Sequence, residues 1–221
     1  MSRRAHREPL AYIVGHREFW GLPFEVSPSV LIPRPETELI VEAALELVSA
    51  TAPSPAICDV GTGSGCVAIA LATERPLAAI TATDISEAAL SVARRNAKRN
   101  GTEHIRFVTA DLLNGVDGPF DLITANPPYV RQVDQPGLQP EVRDHEPAVA
   151  LFGGPDGTSL VRRFVAEATP KVRPGGHLIF EFGLGQDDTI EQLVADHPDL
   201  ELVELRRDIQ GIARTAVARR R

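Results

Sequence analysis

The fold of this chain is decided by the stretch Leu122-Ile123-Thr124-Ala125-Asn126-Pro127-Pro128-Tyr129. An apolar run typical of a buried parallel strand ends there in an amide, two prolines and an aromatic ring. Because proline has no backbone N–H to donate to a sheet ladder, the strand is predicted to stop at this point. Ligands of open α/β sheets bind just beyond the carboxyl ends of the strands. The stretch therefore predicts a ligand site at one edge of a largely parallel sheet.

The polar groups at this strand end suit a particular kind of ligand. Asn126 offers an amide acceptor, Pro127 an unpaired backbone carbonyl and Tyr129 a flat apolar wall. Such a set can hold a planar group that carries NH2, for example a carboxamide or an exocyclic base amine. Taken alone, the stretch is also compatible with a plain turn, since Asn-Pro and Pro-Pro are common in loops. It becomes specific only with a glycine-rich segment earlier in the chain.

That segment is Asp59-Val60-Gly61-Thr62-Gly63-Ser64-Gly65, between a predicted strand and a predicted helix. Its glycines let the backbone approach a ligand closely, and the helix start offers free N–H groups. It differs from GxGxxG and lacks the phosphate-loop lysine, so alone it also suits a tight turn. Asp84 ends the next predicted strand, where a carboxylate can accept ribose hydroxyls, and Asp111 ends the third. Features at three successive strand ends indicate a nucleoside-containing cofactor.

The remaining pattern alternates between strands and helices. Residues 12–15 and 19–26 predict a small hairpin, and a helix is predicted to begin near Pro35 or Glu36. Residues 130–157, rich in proline, glycine and charge, are predicted to form a long loop. The last two strands are joined by a short link, which demands an antiparallel pair. The sheet strands are predicted over 56–60, 79–83, 105–108, 120–125, 177–182, 202–205 and 212–218.

Composition limits the class of protein. The chain has 221 residues, 43% of them hydrophobic and 24% charged, as expected for one sizeable α/β domain. Its net charge of −7 does not favour nucleic acid as a partner. No apolar run approaches the ~20 residues that span a bilayer. Cys58 and Cys66 form no CxxC pair, so we expect reduced buried thiols in a cytoplasmic protein. The histidines are scattered, and we expect no metal site.

With these residues quoted, the chain resembles the class I S-adenosylmethionine-dependent methyltransferases. More narrowly, it is similar to the protein-glutamine N5-methyltransferases of the HemK/PrmC family, which methylate the glutamine of the Gly-Gly-Gln motif in peptide chain release factors. Residues 32–38, Ile-Pro-Arg-Pro-Glu-Thr-Glu, are the most family-specific part, whereas the tetrapeptide at Asn126 is shared with adenine-N6 DNA methyltransferases. The resemblance runs from about Tyr12 to Arg220 and rests on residues 12–15, 19–21, 31–38, 59–65, 126–129 and 208–220.

The resemblance implies a fold and a set of functional residues. The fold is an α/β, seven-stranded Rossmann-like methyltransferase sheet with an antiparallel last strand, preceded by a small β-hairpin. The cofactor is S-adenosyl-L-methionine, with Asp84 on its ribose, Asp111 and Leu112 beside its adenine, and Asn126 between cofactor and substrate. Its methionine and ribose would be lined by Gly61, Thr62, Gly63, Ser64 and Gly65. Catalysis is assigned to Asn126, Pro127, Pro128 and Tyr129: Asn126 Oδ1 and the Pro127 carbonyl accept the two amide N–H groups, and Tyr129 packs on the amide plane.

The resemblance also sets expectations for organisation and partners. We expect a hairpin and linker over residues 1–35 and a methyltransferase domain over 36–221, without the helical N-terminal domain usual in the family. The expected partner is a release factor, with no membrane, no direct nucleic-acid contact and a monomeric state. One alternative is a methyltransferase acting on N6 of adenine or another exocyclic amine, which requires a positive track and base flipping. Another is a cofactor-binding protein without activity.

The sequence assigns no definite functional role to several charged residues. Arg34 and Glu36 suit equally the rim of a substrate pocket and a salt-linked helix start. His145 and Glu146 are predicted to lie in a solvated loop, and Glu181 near the end of a strand is not assigned to the site.

Overall fold

The computed structural model describes residues 2–48 and 54–221. Its helices are α1 Ser2–Ala5, α2 Leu10–Val14, α3 Glu38–Val48, α4 Cys66–Glu74, α5 Glu87–Arg99, α6 Pro140–His145, α7 Ser159–Ala168 and α8 Asp187–Ala195. Its strands are β1 His16–Phe19, β2 Leu22–Glu25, β3 Ala56–Val60, β4 Ala79–Asp84, β5 Arg106–Thr109, β6 Phe120–Ala125, β7 Val172–Glu181, β8 Leu200–Arg207 and β9 Ala213–Arg220. Short 3₁₀ helices lie at Pro35–Thr37, Gln132–Gly137, Ala148–Ala150 and Thr169–Lys171. Residues 51–53 of the loop predicted after α3 lie outside the described residues.

The main sheet has seven strands in the order β5-β4-β3-β6-β7-β9-β8. The strands from β5 to β7 are parallel, and β9 runs antiparallel to both β7 and β8. The predicted sheet with an antiparallel last strand is confirmed. A tight turn explains that strand: Gly211 has φ +80°, and its N–H donates to Asp208, which permits an immediate return of the chain.

The order of the strands fixes where a ligand can bind. The chain moves from β3 outward to β5 and then returns to the other side of β3 as β6. The crevice beyond the carboxyl ends of strands at such a reversal is the usual ligand site of this kind of sheet. Two predicted motifs lie there, because Gly61 follows β3 directly and Asn126 follows β6 directly.

Helices cover both faces of the sheet. One core lies under α3 and α4, where Ile40, Ile69 and Leu71 are fully buried, and it also includes Phe24 of the hairpin. The other lies under α7 and α8, with Phe164 edge-on to Phe180 of β7. α4 is apolar around most of its circumference, which suits a helix buried on all sides. In the part of the chain that the structure describes, no helix is long and apolar enough to cross a membrane.

The N-terminal prediction is partly wrong. Residues 12–15 are predicted as a strand, but Tyr12 to Val14 belong to helix α2 and Gly15 caps it; the hairpin is formed by the two strands after it. A run of four apolar residues does not distinguish strand from helix by its period. The flanking residues decide, since Pro9 lies at the helix start and Gly15 ends it with φ +79°. The hairpin turns at Trp20 and Gly21, both with positive φ, as in a type I′ turn.

The predicted loop over 130–157 is also wrong in part, since it contains α6 and two of the 3₁₀ helices. It packs closely on the Asn126 region. A Cβ on Gly153 would lie 2.3 Å from the Pro128 carbonyl oxygen, and one on Gly157 would lie 2.5 Å from that of Tyr129. Only glycine allows this approach. The segment is therefore a fitted wall of the crevice rather than a loose connection.

The remaining predictions of elements agree closely with the structure. Ser86 caps α5 by accepting a hydrogen bond from the Ala89 N–H, as predicted. The strand predicted from His177 begins earlier, at Val172, because the chain stays paired through a bulge before Leu122 and His177 come into register. Cys58 and Cys66 are both buried and free.

Candidate active site

Two adjoining cavities lie in the crevice between β3 and β6. The larger, of about 330 Å³, is lined by Gly61, Thr62, Gly63, Ser64, Asp84, Asp111, Leu112, Asn126, Pro127 and Pro128, among others. The smaller, of about 140 Å³, is lined by Arg34, Asn126, Pro127 and Tyr129 together with apolar side chains. Asn126 and Pro127 line both cavities. Two predicted site residues are not at the wall of the larger cavity: Gly65 faces the protein interior, and Tyr129 lines only the smaller one.

The glycine segment presents its backbone to the larger cavity. Gly61 and Gly63 have φ of +69° and +56°, and a Cβ at either would meet no atom within 4 Å. Gly65 has a different role, since its Cβ would lie 3.0 Å from Ile69 Cδ1 and 3.2 Å from Ala93 Cβ. The first two glycines therefore keep the cavity open, and Gly65 allows α4 to pack against α5.

Asp59 is buried directly below this segment. Its carboxylate accepts the Thr62 hydroxyl at 2.6 Å and the Thr124 hydroxyl at 2.8 Å, which ties the loop to the neighbouring strand β6. Burial raises the pKa of Asp59 to about 6, although these hydrogen bonds oppose the shift. In its ionised form, this carboxylate at the cavity wall favours a positively charged ligand.

Asp84 holds the other side of the same loop. Its Oδ2 accepts the Gly63 N–H at 2.9 Å, and its Oδ1 accepts the Ser86 N–H at 2.8 Å. Burial raises the pKa of Asp84. A carboxylate has about four acceptor positions, so these two bonds leave capacity for ligand hydroxyls.

Asp111 and Leu112 line the far end of the larger cavity. Asp111 is exposed, and its Oδ2 forms an ion pair with Arg163 Nη2 at 3.0 Å. Leu112 has φ +51°, a left-handed conformation that costs a residue with a Cβ roughly 1–2 kcal/mol. The Thr83 hydroxyl stabilises this conformation by donating to the Leu112 carbonyl at 3.0 Å. Strain of this kind occurs where the surrounding structure fixes a ligand wall.

Asn126 is held by one end of its amide. Its Nδ2 donates to Thr37 Oγ1 at 3.0 Å. Within residues 2–48 and 54–221, neither Asn126 Oδ1 nor the Pro127 carbonyl accepts a hydrogen bond. Two acceptors on consecutive residues are therefore available, and both residues line both cavities.

Thr37 belongs to a buried hydrogen-bond network behind Asn126. Its hydroxyl donates to Glu181 Oε2 at 2.7 Å, and the Tyr129 hydroxyl donates to Glu181 Oε1 at 2.9 Å. Glu181 is 1% exposed, and burial raises its pKa. Tyr129 is thus bound through its hydroxyl to a carboxylate, and burial raises the pKa of that hydroxyl.

Arg34 and Glu146 close the smaller cavity. Arg34 Nη2 lies 2.5 Å from Glu146 Oε1, and Glu146 also accepts the Ile32 N–H at 3.2 Å. The predicted solvated loop is wrong for Glu146, which is 6% exposed, and in part for His145, which is half-buried at the end of α6 with its Nε2 3.1 Å from the His6 carbonyl oxygen. Of the two readings left open for Arg34, the pocket rim fits, and its salt partner is Glu146.

Thr37, Glu181 and Asp59 were not assigned to the site from sequence. Thr37 lies in the family-specific stretch and Asp59 is the first residue of the glycine segment, so the sequence motifs themselves indicate that both lie near the site. For Glu181, the sequence indicates only a position near the end of a strand. Its contact with Thr37 joins residues 144 positions apart, and no local pattern predicts it. In the described part of the chain, no group of three or more histidine, cysteine, aspartate or glutamate side chains is arranged to hold a metal ion.

Comparison with known proteins gives a consistent result. The family described as "Methyltransferase small domain" matches residues 37–139. The release factor glutamine methyltransferase of Koribacter versatilis is 41% identical over 100% of this chain and 78% of its own length. That of Nitratidesulfovibrio vulgaris is 44% identical over 100% of this chain and 75% of its own length.

A solved structure has the same fold. The ribosomal protein L11 methylase of Lactobacillus delbrueckii subsp. bulgaricus superposes with a TM-score of 0.62 and 25% identity, over 85% of this chain and 80% of its own. Together with the high identity to the two curated relatives, this agreement settles the family. The chain belongs to the release factor glutamine methyltransferases.

Proposed function

We propose that this chain transfers a methyl group from S-adenosyl-L-methionine to the side-chain amide nitrogen of a glutamine in a peptide chain release factor, within its Gly-Gly-Gln motif. One observation carries the proposal. Asn126 Oδ1 and the Pro127 carbonyl are adjacent acceptors with no partner among the described residues, at the junction of two cavities. A carboxamide is the uncharged protein side chain that brings two N–H donors in one plane.

The larger cavity fits the cofactor. Its volume lies at the lower end of the range of small-molecule sites, about 300–1,000 Å³. The open backbone at Gly61 and Gly63 admits the methionine part, Asp84 has acceptor capacity for ribose hydroxyls, and Leu112 offers an apolar surface for the adenine. The bound cofactor supplies an electrophilic methyl group on a sulfonium, and the Asp59 carboxylate suits that positive charge.

The chain's own residues have to orient a poor nucleophile. An amide nitrogen shares its lone pair with the carbonyl, so the reaction depends on alignment with the methyl carbon. Asn126 Oδ1 and the Pro127 carbonyl would each accept one amide N–H, which fixes the rotation of the group. Positioning of this kind can contribute up to ~7–11 kcal/mol in well-oriented systems. The two acceptors also stabilise the positive charge that develops on the nitrogen.

No strong general base is required at this site. Glu181 is separated from the junction by Thr37 and Tyr129, and each of its oxygens already accepts a hydrogen bond. The nitrogen becomes acidic only after the methyl group has moved, and the proton then leaves to water. Glutamate in place of glutamine would bring no N–H to the two acceptors, which disfavours it.

The proposal is tested with a release factor and tritiated cofactor. We expect methyl transfer to the intact release factor and none to a variant whose Gly-Gly-Gln glutamine is replaced by alanine. Equal labelling of the two proteins would contradict the proposed target. Labelling of RNA or DNA without labelling of the release factor would replace it with an exocyclic-amine substrate.

A further inference from the structure

The amide of Asn126 can present either of its two ends to the substrate. Its oxygen would accept an N–H, whereas its NH2 group would donate to a carboxylate or carbonyl. The two orientations have nearly the same shape, so packing alone does not choose between them. The choice depends on what lies at the other end of the amide, which is Thr37 Oγ1 at 3.0 Å from Nδ2.

Thr37 has one hydroxyl proton, and Glu181 determines where it points. A carboxylate accepts hydrogen bonds and donates none. The Thr37 hydroxyl therefore donates to Glu181 Oε2 at 2.7 Å, and only its lone pairs remain for Asn126. Asn126 must offer its NH2 group to Thr37, so its oxygen faces the cavities.

Two further contacts hold this chain of hydrogen bonds rigid. The Tyr129 hydroxyl donates to the second oxygen of Glu181 at 2.9 Å, so the carboxylate cannot rotate away from Thr37 without breaking a bond. The Thr37 N–H donates to the Arg34 carbonyl at 3.1 Å, which fixes the 3₁₀ turn at Pro35–Thr37.

Glu181 lacks the partner that normally accompanies a buried charge. Arg214 attracts it electrostatically, but the Nε of that guanidinium donates to Asp208 at 3.1 Å. Burying a carboxylate without an ion pair is costly, and its neighbours here are two hydroxyl groups. A neutral amide of the same shape would avoid that cost. Each of the two Glu181 oxygens instead accepts a hydroxyl hydrogen bond, one from Thr37 and one from Tyr129, and it is this pair of contacts that makes Glu181 an acceptor toward Thr37.

We propose that Glu181 is a positioning residue that acts through Thr37 to fix the oxygen of Asn126 toward the substrate, and so makes the site select a carboxamide over a carboxylate. The inference rests on the proposed function. Glu181 does not touch the substrate; it sets the polarity of the residue that does.

The test replaces Glu181 by glutamine, which keeps the shape and removes the charge. Its NH2 group can donate to Thr37, which frees the Thr37 proton for Asn126 Oδ1 and turns the Asn126 NH2 toward the substrate. We expect Glu181→Gln to lower kcat/KM for the release factor by about 10- to 100-fold, the size expected for one charge-assisted hydrogen bond. The dissociation constant of the cofactor should stay within about threefold.

Binding of the release factor reports directly which end of the Asn126 amide faces the substrate, and it requires no methyl transfer. The affinity of each enzyme is measured for the release factor and for its variant with glutamate at the target position. The wild type should prefer the glutamine form, and Glu181→Gln should reduce that preference by about tenfold or more. The exposed Glu191→Gln on α8 is the matched control and should retain the wild-type preference.

A second pair of variants guards against misfolding. Thr37→Val removes the hydroxyl and should reproduce both losses, whereas Thr37→Ser keeps it and should restore the preference for glutamine. Unchanged discrimination in Glu181→Gln and Thr37→Val would overturn the inference, as would a loss in Thr37→Ser as large as in Thr37→Val. If the wild type binds the glutamine form selectively but transfers no methyl group, the proposed function is refuted. The binding data would still show whether Glu181 sets the orientation of the Asn126 amide.

Discussion

The two sides of the active-site crevice are built in different ways. On the cofactor side, consecutive residues from Gly61 to Ser64 form the wall, and Asp84 holds the loop by accepting the Gly63 N–H. On the amide side, one side chain, Asn126, supplies an acceptor beside the Pro127 carbonyl, and it depends on Thr37 and Glu181 from distant parts of the chain. The first side is local in sequence, and the second is assembled by the fold.

This difference predicts how each side responds to change. A backbone wall loses affinity gradually, because several N–H groups and oxygens share the ligand. The Asn126 amide is the one side-chain acceptor of the pair, and nothing replaces it when it is removed or turned. Substitutions on the amide side should therefore reduce the rate of methyl transfer, and those on the cofactor side should weaken cofactor binding.

The largest effect is expected from Asn126→Ala. Loss of the acceptor proposed to orient the substrate amide should reduce kcat by about 10²- to 10³-fold, the range for removing one transition-state hydrogen bond. Calorimetry should show cofactor binding within a few-fold of wild type. The exposed Asn114→Ala provides the control and should behave as wild type. A cofactor affinity that falls as far as the rate would break the division between the two sides.

A large loss of stability is expected from Arg34→Met. It leaves Glu146, whose side chain is 1% exposed, without its cation. We expect a loss of about 2–3 kcal/mol in the free energy of unfolding in urea, less than the ~3–5 of a fully buried pair because Arg34 is partly hydrated. Arg131→Met, which breaks an exposed pair with Asp134, should reduce the free energy of unfolding much less. Equal losses would show that Arg34 does not hold the amide side together.

Asp84→Asn should act on the cofactor side alone. The amide retains one acceptor for the loop but loses the charge, so cofactor affinity should fall by about 10- to 100-fold. The rate at saturating cofactor should change little. Isothermal titration measures the affinity, with the exposed Asp117→Asn as control. An unchanged dissociation constant would remove Asp84 from the binding site.

The pH dependence of cofactor binding should report Asp59. Its pKa is about 6 in the folded protein because the carboxylate is buried. A cationic ligand favours the charged form, so below about pH 6 binding must release a proton, and affinity should fall by up to about tenfold per pH unit. Titrations from about pH 7.5 down to about 5 measure this, and Asp59→Asn should flatten the slope. A dissociation constant independent of pH would contradict a cationic ligand beside Asp59.

The same carboxylate sets a trend in stability with a definite sign. A folded-state pKa above the ordinary value means that the native state binds more protons than the unfolded state. Asp59 should therefore make the protein without cofactor less stable as the pH rises from about 4 through about 6.

Two glycines of the cofactor-side loop should differ in their effect on stability. Both have positive φ, but an added Cβ at Gly65 meets Ile69 and Ala93, whereas one at Gly63 meets open space. Gly63→Ala should cost about 1 kcal/mol of stability for the left-handed backbone, and Gly65→Ala about 1–3 kcal/mol more because of crowding. Thermal unfolding of the two variants compares them. A greater loss in Gly63→Ala would contradict the packing role of Gly65.

The comparison also explains which features the sequence could predict. Local sequence patterns predict the strand, glycine loop and helix around Gly61. They also predict the strand ends at Asp84 and Asn126. The sheet and the position of its crevice could therefore be predicted from the sequence. The prediction of a strand over residues 12–15 is wrong because the apolar run is too short to show a period. Pro9 before it and Gly15 at its end determine that the run is helical.

Charged residues were harder for a different reason. Glu146 lies in a polar segment typical of a solvated loop, and only its contact with Arg34, 112 positions earlier, removes it from water. Glu181 is likewise defined by Thr37 and Tyr129, which no local pattern connects to it. Partners of buried charges are set by the tertiary fold, so their roles emerge only from the structure.

The most direct measurement locates the transferred methyl group. A release factor is incubated with this protein and S-adenosyl-L-methionine, digested, and analysed by tandem mass spectrometry. We expect one added methyl group on the side-chain nitrogen of the Gly-Gly-Gln glutamine. A methyl group on any other residue, with that glutamine unmodified, would contradict this expectation.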